Sequence, residues 1–473
     1  MTATVAGGVR PAAVAGMFYP SGRAELHDLV TSFLAGAERS ADGLAGDAAD
    51  AALDVLGASA PPKAIIAPHA GYRYSGPTAG AAYRSLLARR GEVERVVVIG
   101  PAHRVRVPGV GLSSARAWAT PLGNVEVDVE TVNRLSELRD VVVADDAHAP
   151  EHSVEVHLPF VQEVFGEVPV VPLVVGGTNP AKVAAVLDAV WGGPETAIVV
   201  SSDLSHYLDD ASARRRDLAT CHAIVEARVA DIGPHDACGF LPIGGLLTAA
   251  LRRGLAVRPI ELTTSADTAG EPERVVGYGS FHVSPPAPVD ESAVQWLVDL
   301  AARAIDHELR HGQSYPLHEP DVPDVVRSPG VSFVTLERGE DLVGCIGSLD
   351  PRRALWRDVA RNARGAAFED PRFPPLGSSE RSGVSVEVSV LSKFERLPAS
   401  SSSEVASALR PAVDGLVLAA EGKRSTFLPD VWAKIPEPEA FVEELARKAR
   451  WPTAWPEDVQ AWRYTTTRAS TEL

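Results

Sequence analysis

A chain of 473 residues is too long for one hydrophobic core, so at least two domains are expected. Hydrophobic residues make up 45%, as in a soluble globular protein, and a formal charge of −17 argues against a nucleic-acid partner, whose phosphates call for a basic face. The longest apolar runs, such as Val96–Ile99 and Ile198–Val200, are strand length and far short of a bilayer span, so no membrane partner is expected. Met1 to Arg10 offers no basic-then-apolar leader, and three cysteines, Cys221, Cys238 and Cys345, are too few for a disulfide framework. Both observations point to a cytoplasmic protein with thiols free for metal or redox work.

In chain order, residues 36–62 are rich in Ala, Gly, Asp and Ser and read as a loose loop. β-type runs follow at Lys63–Pro68, Arg95–Gly100, Val141–Ala144, Val168–Val175 and Thr196–Ser201. Helices are predicted between them over Pro77–Ala88, Glu130–Leu138, Pro159–Phe165 and Ala181–Val190, and a closing strand over Arg274–His282. This alternation predicts an α/β domain whose central sheet is parallel and covered on both faces. Ser284-Pro-Pro-Ala-Pro-Val-Asp290 marks the boundary, because paired prolines continue neither a helix nor a central strand. The expected domains are therefore 1–284 and 290–473.

The second domain opens with a predicted helix, Glu291–Glu308, then strands at Gly330–Glu337, Leu342–Ser348, Gly383–Leu391 and Gly415–Ala420. Ser385 and Glu387 alternate with Val384, Val386, Val388 and Val390, the pattern of a half-buried strand. His307 and His311 are an i, i+4 pair, but no third ligand stands at a recognisable spacing and Pro316 interrupts the run to His318. This domain is expected to hold no metal.

Candidate chemistry gathers where the first domain's strands end. His69 follows Lys63–Pro68, His103 follows Arg95–Gly100, and Asp203 and His206 follow Thr196–Ser201. In open α/β sheets, sites form at the carboxyl ends of strands, so these side chains can share one. Placement alone leaves a capping or core role equally open. Cys238 by itself reads as a small buried hydrophobe. Glu151-His-Ser-Val-Glu-Val-His157 adds further candidates, and His157, just before Pro159, is better placed to support a site than to ligate.

Five segments in order resemble the Memo family, also called AmmeMemoRadiSam system protein B. They are Ala67-Pro-His-Ala-Gly-Tyr-Arg-Tyr-Ser-Gly76, Gly100-Pro-Ala-His103, Glu151-His-Ser-Val-Glu-Val-His-Leu-Pro159, Ser201-Ser-Asp-Leu-Ser-His206 and Cys238-Gly-Phe-Leu-Pro-Ile243. The resemblance spans about Val9 to Val283 and implies a fold like the LigB-type, class III extradiol dioxygenases. It implies metal ligands His69, His103 and Cys238, with Asp203 and His206 lining the pocket and His206 as acid/base. Phe240 stands where relatives often carry a histidine. Two imidazoles and a thiolate suit Fe(II) first, with Cu or Zn as alternatives. Three protein ligands leave positions open for catalysis. The implied function is a dioxygenase-like oxidoreductase acting on a small molecule. The rivals are a non-catalytic iron- or copper-binding redox regulator and a peptide- or protein-binding scaffold.

Leu342-Val-Gly-Cys-Ile-Gly-Ser-Leu349, Ala366-Ala-Phe-Glu-Asp-Pro-Arg-Phe-Pro-Pro-Leu376, Val386-Glu-Val-Ser-Val-Leu391, Asp414-Gly-Leu-Val-Leu418 and Thr426-Phe-Leu-Pro-Asp-Val-Trp432 resemble the AMMECR family, AmmeMemoRadiSam system protein A. This implies a smaller α+β domain over about Asp290 to Thr467. Cys345 lies between two glycines, which suits either a presented thiol or a tightly packed strand. The usual companion of both families is a radical-SAM protein. The chain has no Cys-x₃-Cys-x₂-Cys of its own, so such a partner would be a separate protein.

Overall fold

A computed structural model describes residues 7–36, 61–317, 322–339, 341–420, 422–451 and 455–473. The loop expected over 36–62 thus lies, for residues 37–60, outside the described residues, as does His318. The chain divides into two compact units, Met1–Ala287 and Pro288–Leu473.

In the first unit, short runs rich in Val and Ile pair in parallel: Ala64–Ala67, Thr196–Ser201, Arg95–Pro101 and Val170–Val175. Apart from Arg95, all their residues are buried, as a parallel sheet covered on both faces requires. Register sets Ala67 beside Ser201 and Pro101 beside Val175, so these strands end along a common rim. The nine-stranded sheet is mixed, not wholly parallel. Val275–Ser284 runs antiparallel to Ala64–Ala67, Ala256–Thr264 antiparallel to Val275–Ser284, and Val110–Leu112 antiparallel to Val170–Val175. Sequence pattern hides two of these additions. Val110–Leu112 is only three residues long, and Ala256–Thr264 carries Pro259 at an irregularity in its register, where an outer strand tolerates it.

The helix predicted from Pro77 begins earlier, at Tyr72, and runs to Arg84 with Pro77 inside it. It lies close against the helix Arg23–Ala35. A Cβ on Gly76 would come within 2.3 Å of the Phe33 ring, and one on Gly80 within 2.7 Å of its backbone oxygen. A buried ion pair fastens the N-terminal segment to the Glu151–His157 segment. Arg10, 4.0 Å over the Trp118 ring, donates to Glu155 Oε2 at 2.6 Å and to the Glu151 carbonyl at 2.7 Å. Glu155 also accepts the Tyr19 hydroxyl at 2.6 Å and the backbone N–H groups of Ala13 and Val14 at 2.8 and 2.9 Å. Its lone pairs are thereby satisfied, the condition under which a buried carboxylate is tolerated.

In the second unit, Asp290 caps the helix Glu291–His311 through the Ala293 N–H. The apolar stripe of that helix, including Val294, Leu297, Val298 and Ile305, shares a core with the helix Leu355–Arg364 and with Val334, Leu336, Val386 and Val388. Those valines and Leu336 belong to an antiparallel sheet in the order Asp341–Gly347, Ser332–Arg338, Val384–Leu391, Thr466–Glu472. A second antiparallel sheet runs Glu395–Leu397, Gln460–Tyr464, Gly415–Ala420, Lys423–Phe427, with the helix Pro438–Lys448 packed on it. Thr466–Glu472 escapes a pattern search because it has no apolar alternation; pairing with Val384–Leu391 makes it a strand. No helix among the described residues is long and apolar enough to cross a membrane.

Candidate metal centre

His69 lies two residues past the strand Ala64–Ala67, His103 two past Arg95–Pro101, and Asp203 two past Thr196–Ser201. His69 is buried, and its Nδ1 lies 2.6 Å from Ser201 Oγ. That hydroxyl donates its proton to the Ser153 carbonyl at 2.5 Å, so it accepts from Nδ1–H. The Nε2 of His69 therefore carries a lone pair. His103 is set the same way: its Nδ1 is 2.9 Å from Glu151 Oε1. Burial raises the proton affinity of Glu151, but donors led by His103 outweigh it and hold the carboxyl down at about 2. An ionised Glu151 can only accept, so His103 donates from Nδ1–H and Nε2 is the nitrogen left to ligate.

His152 stacks on His103, with centroids 5.0 Å apart, and its Nδ1 is 3.3 Å from Glu151 Oε1. One ring nitrogen from each of His69, His103 and His152 lies within 4.8 Å of the others. Burial first, then the neighbouring imidazoles, holds His69 well below the ordinary histidine value; burial takes His152 down to about 4. Both are therefore neutral near pH 7, the form that ligates. Sγ of Cys238 lies 3.3 Å from His69 Nε2 and accepts the Asp203 N–H at 3.3 Å. Burial and then the Asp203 carboxylate push this thiol up, so it ionises only beside added positive charge. Asp203 accepts the His69 backbone N–H at 2.8 Å, and burial raises its carboxyl.

These groups line one cavity of about 1120 Å³, as do His206 and three arginines, Arg104, Arg216 and Arg274. The structure thus brings His69, His103, Asp203, His206 and Cys238 to a common space. It does not bring His157 there. That ring lies in the core beside Tyr83, and neither of its nitrogens has a hydrogen-bond partner among the described residues. Cys345 lines a different cavity, in the second unit. His307 and His311 lie on one helix with ring centroids 4.6 Å apart. Sequence reasoning counted Glu151 and His152 among the candidates of their segment but assigned neither a specific role. The signal was their adjacency to each other in a stretch with neither helical nor strand periodicity.

The donor set fits a borderline-to-soft divalent ion, since three imidazoles that bring ring nitrogens within 4.8 Å of one another, with a thiol 3.3 Å from His69, are the groups such ions select. The Memo-like protein family model matches residues 10–282, and the AMMECR1 model matches residues 298–469. A MEMO1 family protein of Pyrobaculum aerophilum is 35% identical over 295 residues, covering 58% of this chain and 98% of that protein. Another, from Thermoplasma volcanium, is 30% identical over 284 residues, covering 58% and 97%. Among solved structures, an uncharacterized protein from Pyrococcus horikoshii is 30% identical, covering 39% of this chain and 94% of that one, with a TM-score of 0.37.

Proposed function

The chain belongs to the Memo-like family, with an AMMECR1 region following the Memo region, and from this premise we propose that its first unit is a mononuclear metal-dependent, dioxygenase-like enzyme for a small molecule. The observation that carries the reading is the pair of fixed tautomers. Ser201 and Glu151 hold Nδ1–H of His69 and His103, so both Nε2 lone pairs are left for a cation beside Cys238.

In this reading His69, His103 and Cys238 hold Fe(II), with Cu or Zn as alternatives. The 3.3 Å between Cys238 Sγ and His69 Nε2 suits two ligands of one ion, each roughly 2.0–2.3 Å from it. When bound, such an ion would supply Lewis-acid chemistry there. Asp203 orients His69 through its backbone N–H, and His206 moves a proton at the cavity wall. Arg104 and Arg274 make no ion pair with a carboxylate among the described residues, which favours an anionic substrate. The fusion of both regions in one chain without a radical-SAM cysteine motif supports action beside a separate radical-SAM protein. The test is turnover of phenolic and carbonyl compounds after anaerobic reconstitution with Fe(II). His206→Ala keeps the metal and loses turnover; metal without turnover in the wild type would leave a redox-regulating metal holder.

A further inference from the structure

Three tyrosines line the cavity of the first unit, and burial tells them apart. Tyr207 is 64% exposed, with Arg274 4.4 Å over its ring, and Tyr74 is half-buried, with Arg73 4.9 Å over its ring. Tyr278 is only 2% exposed, yet its hydroxyl has no hydrogen-bond partner among the described residues. A buried phenol ordinarily finds a partner, because an unpaired hydroxyl away from water is costly. The hydroxyl across from it on the neighbouring strand is already engaged: Thr263, opposite Tyr278, is bonded to Thr78 at 2.8 Å.

The strand Val275–Ser284 sets where this hydroxyl opens. In the sheet it lies between Ala64–Ala67 and the short strand His206–Leu208. Val276 pairs with His206, and Phe281 with Ile66. Tyr278 therefore stands past the end of Ala64–Ala67, at the rim that carries His69, and one pleat along from the residue paired with His206. Val276 and Tyr278 share a face of the strand, and both line the cavity. The phenol, pushed up by burial first and then by the Asp203 carboxylate, keeps its proton at neutral pH. It makes no hydrogen bond to Asp203, so that proton is left for whatever occupies the cavity. Two acids, Asp203 and Glu271, share the lining with three arginines, Arg104, Arg216 and Arg274, which leaves the wall positive on balance.

We propose that Tyr278 is a ligand-binding residue of this cavity, donating its hydroxyl hydrogen to a single oxygen anion, an enolate or a phenolate, on the bound molecule. The proposal rests on reading the cavity as the reaction site, and it names the atom that the buried wall is built to hold. A carboxylate is better met by the two-pronged fork of an arginine. One neutral donor fixed in a buried wall suits one oxygen, and its bond strengthens as charge builds there.

The metal content of the purified full-length protein is measured, and the same samples are titrated with 4-nitrophenolate and with nitrobenzene, the same ring without the oxygen anion. The wild type should bind the phenolate more tightly. Tyr278→Phe should cut that preference about tenfold, the weight of one hydrogen bond to a charged group. Nitrobenzene affinity, metal content and melting temperature should hold, because only the hydroxyl is removed. An unaltered preference in Tyr278→Phe, equal losses for both probes, or a wild type without preference would overturn the proposal. A preference that depends on Tyr278 in protein carrying no metal would keep this proposal and discard the metal reading; metal without that preference would do the reverse.

Discussion

In the first unit His69, His103 and Asp203 stand just past the carboxyl ends of parallel strands, whereas in the second Cys345, Thr335 and Glu387 stand in the middle of antiparallel ones. Chain beyond a strand end is released from the ladder and can turn inward. That is how His69 and His103 meet, with ring centroids 5.1 Å apart. Side chains inside a ladder keep its spacing, with Cβ atoms of opposite residues roughly 4.5–5.5 Å apart. A row of that kind cannot close around an ion, but it can line a surface along which a larger ligand lies. The position of a polar residue relative to its strand thus separates two kinds of chemistry in one chain.

The largest test of this division is mechanical. Glu155→Ala strips Arg10 of its carboxylate and leaves a buried charge, which should cost the first unit about 3–5 kcal/mol. Calorimetry on the full-length protein should show the first unit's transition fall while the second unit's stays in place. Equal shifts in both would show that the ion pair does not belong to the first unit alone.

Next comes Glu151→Gln. If Glu151 fixes the His103 tautomer, metal affinity should drop about 10–100-fold by competition titration, while Cys345→Ser leaves it unchanged. An unaltered affinity in Glu151→Gln would remove the argument that hydrogen-bonded Nδ1–H prepares the site.

Acid should separate the units further. Burial lowers His148 and His282 to about 4 and His157 to about 3. Unfolded, each titrates near 6.5, so between roughly 6.5 and 4 the unfolded chain binds more protons than the folded one. Stability of the first unit should therefore fall as pH drops through that window. In the second unit, Asp370, held at about 2 chiefly by its hydrogen bond from Arg372, loses its contribution only between 3.8 and about 2. Melting against pH checks this; a second unit that weakens first on acidification would contradict it. The smallest expected effect is that of Thr335→Val, which removes the hydroxyl that donates to Cys345 Sγ at 3.5 Å. It should slow alkylation of Cys345 by iodoacetamide about threefold, the weight of one weak hydrogen bond to sulfur, with metal content unchanged.

Much of the metal centre is legible in the sequence because strand ends are marked twice, by an apolar run and by the Gly, Pro and Ser that follow. His69, His103, Asp203 and His206 stand at such marks. His152 does not: it follows no strand, and what brings it in is the turn after His148 together with Glu151, whose carboxylate also binds His103. Pro77 misplaced a helix start because proline favours the first turn, yet the close fit of Gly76 and Gly80 on Phe33 carries the helix back to Tyr72. In the second unit the alternation over Val384–Val390 announced a half-buried strand. That Glu387 on its polar face shares a cavity with residues 426–433 depends on contacts forty residues away, which periodicity does not encode.

The most direct test of the central claim is the metal content of anaerobically purified full-length protein, compared among wild type, His69→Ala, Cys238→Ser and His152→Ala. With His69, His103 and Cys238 as ligands, the wild type should carry close to one metal per chain. His69→Ala and Cys238→Ser should lose most of it, and His152→Ala should keep most. Full metal in Cys238→Ser together with its loss in His152→Ala would contradict the account and make the centre an all-histidine one.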